Sequence, residues 1–388
     1  MRKTFLPYFR PDIDEHTIEL VGESLRNGWL TTGPKVRAFE ERMAAMCGVR
    51  NAVGVNSATA GLHLALVAYG VGPGDEVILP ALSFVSAAHC VRHCGATPVF
   101  CDVEPDTLCS SVATIEPLIT KRTKAIVTMP YAGRPLDNQT VYAYAHARGI
   151  VVIEDAALGV GTIDAGHWPG SAGSDAAVFS FYATKNVTSA EGGMLLTNDD
   201  RIAESVRLLA LHGMDRDAWK RYTAGGTWRY DVSALGFKYN MPDLSAALAL
   251  GQLDRFYEMQ QRREEIAATY LAAIDGIAGV EAAAMGRIGP ADRHSWCFFP
   301  VSIQPNAFIT RDTVAIAMRE ANIGTSVHYI PSTQFSIYSE YARPLPVTDR
   351  VWTTLLSLPL FPGMSDTDVH DVVDALSVAV AGRRYAFA

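Results

Sequence analysis

Between about residues 51 and 198 short apolar runs alternate with longer stretches of helical character. The runs are Val53-Gly54-Val55, Glu76-Val77-Ile78-Leu79-Pro80, Thr97-Pro98-Val99-Phe100, Lys124-Ala125-Ile126-Val127-Thr128, Ile150-Val151-Val152-Ile153 and Ala176-Ala177-Val178-Phe179-Ser180. They are continuous rather than alternating, which is the pattern of strands buried on both faces, and the stretches at 60–68 and 84–94 supply helical cover. The expectation is an α/β fold with a mostly parallel central sheet flanked by helices. Ahead of it, Pro7 and Pro11 mark an arm that runs into an amphipathic helix at 13–27. The turn Gly72-Pro73-Gly74-Asp75 leads into one of the strands. Beyond Asn198 the pattern turns helical at 201–211 and 243–274, and a last unit mixes strands at 296–303 and 324–329 with helices at 313–321 and 366–381. This predicts a large domain with its N-terminal arm over 1–250 and a smaller C-terminal α/β domain over 251–388.

Composition narrows the classes. The 388 residues carry 33 Lys+Arg against 41 Asp+Glu, a net charge of −8, and 49% are hydrophobic against 19% charged. Such a chain buries a large core, in two lobes at this length. An acidic chain without a basic run lacks the footprint of a protein that binds a nucleic-acid polymer. No apolar run is long enough for a bilayer, and Met1-Arg2-Lys3-Thr4-Phe5-Leu6-Pro7 lacks a signal peptide's apolar stretch, so the cytoplasm is the expected location. Six cysteines are too sparse for a disulfide framework and read as reduced and structural. Cys90 and Cys94, with His89 and His93 beside them, share a helix face, but no matching second pair exists and no metal is expected.

Ligands of a wound α/β sheet collect at the strand ends, and three ends carry unusual residues. Glu154-Asp155 closes one strand with two carboxylates, which an interior strand cannot bury without partners. Ser180-Phe181-Tyr182-Ala183-Thr184-Lys185-Asn186 follows another. Asn56-Ser57-Ala58-Thr59-Ala60-Gly61 follows a third, at a helix N-terminus where free N–H groups and the dipole favour a phosphate. Singly these have ordinary readings: Asp155 as a helix N-cap, the Asn56 turn as a plain connection, Lys185 as a solvated lysine. Together they suit pyridoxal phosphate, which needs a Schiff-base lysine, an acid facing its pyridine nitrogen and a phosphate cradle.

Over nearly its full length the chain resembles the DegT/DnrJ/EryC1/StrS family of pyridoxal-phosphate-dependent nucleotide-sugar aminotransferases. The stretches that carry the resemblance include Trp29-Leu30-Thr31-Thr32-Gly33-Pro34, Asn56-Ser57-Ala58-Thr59-Ala60-Gly61, Pro80-Ala81-Leu82-Ser83-Phe84-Val85 and Glu154-Asp155-Ala156-Ala157. They continue with Ser180 to Asn186, Glu191-Gly192-Gly193-Met194, Gly236-Phe237-Lys238-Tyr239-Asn240-Met241, Val327-His328-Tyr329-Ile330-Pro331 and Ser357-Leu358-Pro359-Leu360-Phe361-Pro362. The resemblance implies a fold type I transferase in which Lys185 is the Schiff-base lysine and proton shuttle and Asp155 pairs with the pyridine nitrogen. Ser57, Ala58, Thr59, Ala60 and Ser180 match the phosphate cradle, and Phe84 matches the ring that stacks on the cofactor, though it also reads as core. Trp29, Thr31, His328 and Tyr329 match positions at the sugar-nucleotide pocket. A homodimer with shared sites is implied, Lys238 and Asn240 reaching the partner's cofactor phosphate where relatives often show Asn-Tyr-Arg. Leu158 stands where Gln or His commonly contacts the cofactor, Ala58 replaces a frequent glycine, and Ser332 and Thr333 follow Pro331 where a His is frequent.

The implied activity is transfer of an amino group from glutamate or glutamine to a keto group of a nucleotide-linked deoxysugar. Thr184-Lys185-Asn186 followed by Glu191-Gly192-Gly193 is closer to members acting at C4 than at C3. Two alternatives stand beside it: a dehydratase or deoxygenase of the same family, in which the lysine is commonly replaced, and a catalytically silent ligand sensor.

Overall fold

The computed structural model describes residues 2–136, 138–214, 230–286, 288–306 and 308–382. Seven strands form the large sheet: β1 (Asn51–Val55), β2 (Glu76–Pro80), β3 (Thr97–Cys101), β4 (Thr123–Thr128), β5 (Val151–Glu154), β6 (Ala176–Ser180) and β7 (Gly193–Thr197). Their order is β1-β7-β6-β5-β4-β2-β3. The pairs from β6 through β5, β4 and β2 to β3 are parallel, whereas β7 runs antiparallel to both β6 and β1. β2, β6 and β7 are buried at every residue, as their unbroken apolar runs require.

The second sheet has three antiparallel strands, β8 (Val280–Ala282), β9 (Phe299–Ile303) and β10 (Leu355–Leu358), in the order β10-β9-β8. Residues of the helices Phe256–Ile274, Arg311–Glu320 and Asp366–Val380 pack with it in one core, which Leu6 of the N-terminal arm joins. The arm reaches it through a bridge between Leu6 and Ile323.

Two expectations need correction. The helix expected over 243–274 is two helices, Asp243–Asp254 and Phe256–Ile274. Arg255 between them leaves helical geometry (φ −106°, ψ 10°) and turns its guanidinium to Asp12 at 3.1 Å. The strand expected at 324–329 is only a bridge between Ser326 and Ser357, because the following residues turn away toward the large sheet's strand ends.

Candidate active site

Gly193, the first residue of β7, pairs with Val55 on one side and Ser180 on the other, so the ends of β1 and β6 meet in one row. The helix Ala58–Ala68 starts directly above that row. Its N-cap Ser57 accepts the Ala60 N–H at 3.1 Å, which leaves the N–H groups of Ala58 and Thr59 at the open first turn. Only glycine fits at 193: an added Cβ would lie 2.5 Å from the Ala58 nitrogen. The same end of β1 is extended by the chain's own 238–240 segment. Asn56 N–H donates to the Tyr239 carbonyl at 2.7 Å, and Val55 bridges to Asn240. Lys238 Nζ donates to Asn240 Oδ1 at 2.7 Å, and Asn240 Nδ2 donates to Thr32 Oγ1 at 2.7 Å. That last bond brings the Trp29–Thr32 loop to the same end of the sheet. Within the loop Thr31 is exposed, and the Trp29 indole is 3.4 Å from the Thr32 carbonyl.

The two carboxylates at the end of β5 part company, since successive residues face opposite sides of a sheet. Glu154 is structural: it accepts from the Gly170 N–H at 2.9 Å and the Ser174 hydroxyl at 2.6 Å. Asp155 is not a helix N-cap, for no helix follows it before β6. It is 3% exposed and, among the described residues, its carboxylate accepts one long bond, 3.3 Å, from the Ala157 N–H. Burial raises its carboxyl to about 6, against the pull of the Ala157 N–H and of the Lys185 charge.

Lys185 sits between two anchors. Phe181, fully buried, takes the Ser189 N–H and gives its own N–H to the Gly192 carbonyl, closing the loop 181–192 onto the sheet. Asn186 donates to the Ser295 carbonyl at 2.6 Å and to Gln260 Oε1 at 3.3 Å, pinning the loop's other side. The lysine charge reaches Asp155, and it also reaches His328, whose imidazole burial first and Lys185 second push down to about 3.

Phe84 is not core: 58% of it is exposed, and its ring lies 6.1 Å from that of Tyr329. Burial pushes the Tyr329 phenol up, and the Asp155 charge adds to it, so Phe84, Tyr329 and Asp155 share one neighbourhood. Leu158 is 3% exposed and belongs to an apolar cluster with Leu82, Tyr131 and Phe298 just beneath. Its backbone carbonyl, not its side chain, makes the polar contact, accepting the Ser295 hydroxyl at 2.9 Å. Three residues in this neighbourhood were missed in the sequence. Tyr131 lies past the end of β4, where the strand-end rule would have found it. Tyr8 is in the arm, which offers no local signal, and Ser357 lies in a stretch noted only for its resemblance.

Among the described residues no group of three or more His, Cys, Asp or Glu side chains is arranged to hold a metal ion. Cys90 donates to the Thr59 carbonyl at 3.2 Å, and burial pushes its thiol far up.

The model of the DegT/DnrJ/EryC1/StrS aminotransferase family matches residues 11–377. The chain belongs to the DegT/DnrJ/EryC1/StrS aminotransferase family. It is therefore an enzyme of the transaminase type and uses pyridoxal 5′-phosphate. It is 44% identical over 387 residues to the spore coat polysaccharide biosynthesis protein SpsC of Bacillus subtilis, covering 98% of each chain. It is 40% identical over 392 residues to a UDP-4-amino-4-deoxy-L-arabinose–oxoglutarate aminotransferase of Shewanella sediminis, covering 99% of this chain and 100% of that one. A putative sugar aminotransferase of Streptococcus pneumoniae, solved in its PMP-form, superposes with a TM-score of 0.90 at 29% identity over 97% of this chain and 99% of that one. The same protein is solved in a PLP-form. The fold is that of the fold type I transferases of this DegT/DnrJ/EryC1/StrS family. The residues present fit the cofactor. An open helix turn beside the Ser180 hydroxyl suits a phosphate, the buried Asp155 suits a pyridinium, and the exposed Phe84 ring suits a flat heterocycle.

Proposed function

We propose that this chain transfers an amino group from glutamate to the C4 keto group of a nucleotide-linked deoxysugar. The observation that carries the reading is that Lys185, buried Asp155 and the open helix turn at Ala58 follow the ends of β6, β5 and β1, with only β7 between β1 and β6. C4 and glutamate are favoured because the Shewanella relative is named for a 4-amino sugar and oxoglutarate. Bound there, pyridoxal phosphate supplies an electron sink for the carbon that loses or gains a proton. Asp155 would face the pyridine nitrogen and favour its protonated form, the Ala58 and Thr59 N–H groups with Ser180 and Ser57 would hold the phosphate, and Phe84 would lie against the ring. Lys185 Nζ takes a proton from the donor's α-carbon in the first half of the exchange and delivers one to the sugar carbon in the second. Trp29, Thr31, His328 and Tyr329 border the sugar nucleotide.

The working unit we propose is a cytoplasmic homodimer in which Lys238 and Asn240 reach the phosphate held by the partner subunit, and the large domain ends near residue 250. No helix among the described residues is long and apolar enough to cross a membrane. The deciding experiment offers purified protein glutamate with a panel of nucleotide-linked 4-keto and 3-keto sugars and follows 2-oxoglutarate and the aminated sugar together. Amination of a 4-keto sugar alone is the expected result. Amination of only 3-keto sugars, or ammonia release without 2-oxoglutarate, overturns it.

A further inference from the structure

Between the loop that carries Lys185 and the segment 293–297 lies a buried set of polar groups that the exchange as described does not use. Asn186, 5% exposed, gives its Nδ2 protons to the Ser295 carbonyl at 2.6 Å and to Gln260 Oε1 at 3.3 Å. Both directions are fixed by chemistry. A main-chain carbonyl can only accept, so Asn186 turns its NH2 to Ser295. Gln260 gives its own NH2 to the His294 carbonyl at 3.1 Å and to Glu264 Oε1 at 3.0 Å, which leaves its oxygen for Asn186. Ser295, fully buried, is held in turn from two other strand ends. Its N–H donates to the Gly133 carbonyl beyond β4 at 2.9 Å, and its hydroxyl donates to the Leu158 carbonyl beyond β5 at 2.9 Å. The Gly133 carbonyl also takes the Thr162 hydroxyl at 2.6 Å. One side chain thus ties the loop beyond β6 to the segments that follow β4 and β5. The fit is close: Gly133 has φ 83°, and a Cβ there would lie 1.8 Å from Ser295 Oγ. Ala132 and Trp296, beside Gly133 and Ser295, hold left-handed φ of 58° and 49°, which persists only where the surroundings over-determine the backbone.

We propose that Asn186 is a positioning residue for Lys185: its bond to the Ser295 carbonyl fixes the main chain from which the lysine amine reaches the cofactor. Among the described residues no hydrogen bond or ion pair holds the Lys185 amine, so its reach is set by its main chain. On one side that main chain is held within the loop's own turn, the Lys185 N–H donating to the Tyr182 carbonyl at 2.9 Å. On the other side Asn186 makes the tie that leaves the loop. The phosphate turn and Asp155 are anchored separately. Ser57 caps the helix at Ala60, and the Asp155 N–H donates to the Thr128 carbonyl at 2.8 Å, and neither bond passes through Asn186. Resting on the reading of Lys185 as the amine that condenses with the cofactor and carries the proton, the consequence is that loss of the Asn186 bond misplaces the amine and leaves the rest of the cofactor site standing. A misplacement of about 1 Å is worth on the order of a hundredfold in rate.

The test separates the lysine from the rest of the cofactor site. Full-length protein freed of cofactor is titrated with pyridoxal phosphate, followed by its visible band, and with pyridoxamine phosphate, whose amine cannot condense with a lysine, followed by equilibrium dialysis. Asn186→Ala is expected to raise the Kd for pyridoxal phosphate about tenfold or more and to leave that for pyridoxamine phosphate within about twofold of wild type. Ser295→Ala, which loosens the carbonyl that Asn186 grips, is expected to move the ratio of the two constants in the same direction, and keeps the test alive should Asn186→Ala fail to fold. In turnover, Asn186→Ala lowers kcat about tenfold or more with the KM for glutamate within about twofold. Equal weakening of both cofactor forms, a ratio unmoved in the variants that fold, or a kcat unmoved when the ratio shifts overturns the proposal. Lys185→Ala decides the underlying reading by itself: a visible band like that of the wild type in this variant defeats the reading of Lys185, whereas its loss leaves that reading intact whatever the Asn186 ratio shows.

Discussion

Asp155 destabilises the chain that carries it. Its folded-state value of about 6 lies above the ordinary 3.8, so the folded protein holds this proton over a window where the unfolded chain has released it. Stability therefore falls as pH rises from about 4 to about 6, and above that window the full cost, about 3 kcal/mol, is present. Asp155→Asn is expected to raise the urea midpoint of the cofactor-free protein at pH 8, to change it little at pH 4, and to weaken cofactor binding at both. A midpoint equally affected at the two pH values would refute the burial account. Phe84 makes the opposite trade-free case: with 58% of it exposed, Phe84→Ala should alter stability by under about 0.5 kcal/mol while raising the cofactor Kd several-fold in a titration of the visible band. Asp155 was legible because it follows directly on a strand, whereas Phe84, four residues past β2, was read only through the family resemblance. Those reached only by long-range packing, Tyr8 and Ser357 at His328, carry no local mark, since their shared neighbour lies more than 300 positions away in one case and 29 in the other.

Among elements, the helix Ala58–Ala68 shows what a single atom of space decides. Its first turn is open because Gly193 lets β7 pass beneath it, and Gly193→Ala would drive a Cβ to 2.5 Å from the Ala58 nitrogen. The helix is expected to shift, at about 1–3 kcal/mol in stability, with the phosphate lost from its cradle. Equilibrium dialysis with pyridoxal phosphate and a thermal melt on the same sample check this; a variant that melts lower yet binds as wild type counts against the cradle. A second helix borrows its cap. Pro34–Cys47 begins at Gly33, which has no side chain to offer, and Asp243 from the start of another helix accepts the Lys35 and Val36 N–H groups at 3.1 and 3.0 Å. Asp243→Ala should cost about 1–2 kcal/mol by denaturant unfolding and loosen the Trp29–Thr32 loop, whereas Asp243→Asn should recover part of it. The parallel strands were readable as apolar runs bounded by helices. β7 was not expected as a strand at all, and its hydrophobicity would not have given its direction. What decides it is the irregular 181–192 connection, which holds no crossover helix and so returns the chain antiparallel. The short β8 and β10 were hidden for a related reason, their partners lying far along the chain.

For the molecule as a whole, the net charge of −8 is no obstacle to an anionic cofactor and a nucleotide-linked substrate, because the first-turn N–H groups, Lys185 and Lys238 gather at one end of one sheet. Residues from beyond position 290 meet the same end, Ser332 N–H donating to the Ala81 carbonyl at 2.9 Å and Asn186 to the Ser295 carbonyl at 2.6 Å, and the N-terminal arm reaches the core of the small sheet. Leu6 is 5% exposed in the C-terminal core and exchanges hydrogen bonds with Asn322 and Gly324, both 2.8 Å. Arg2 pairs with Asp368 at 2.7 Å and Asp371 at 2.6 Å. A few residues on, Asp12 meets Arg255 at 3.1 Å and its carbonyl accepts from Gln252 at 2.7 Å. Removing residues 2–9 therefore takes away one buried leucine, worth about 1.5–3 kcal/mol, the partly buried Tyr8 and Phe9 rings that pack against the core, and two partly exposed ion pairs worth about 0–1 kcal/mol each, so the loss is at least about 2 kcal/mol. The truncated protein is expected to unfold at lower urea by at least that margin. Its Asp155, Lys185 and helix Ala58–Ala68 keep their own anchors, so the visible band formed with pyridoxal phosphate should persist while turnover drops with the loss of Tyr8 from beside His328. If the band disappears along with turnover, the arm supports the cofactor site itself; if turnover is untouched, the contact between Tyr8 and His328 has no part in the reaction.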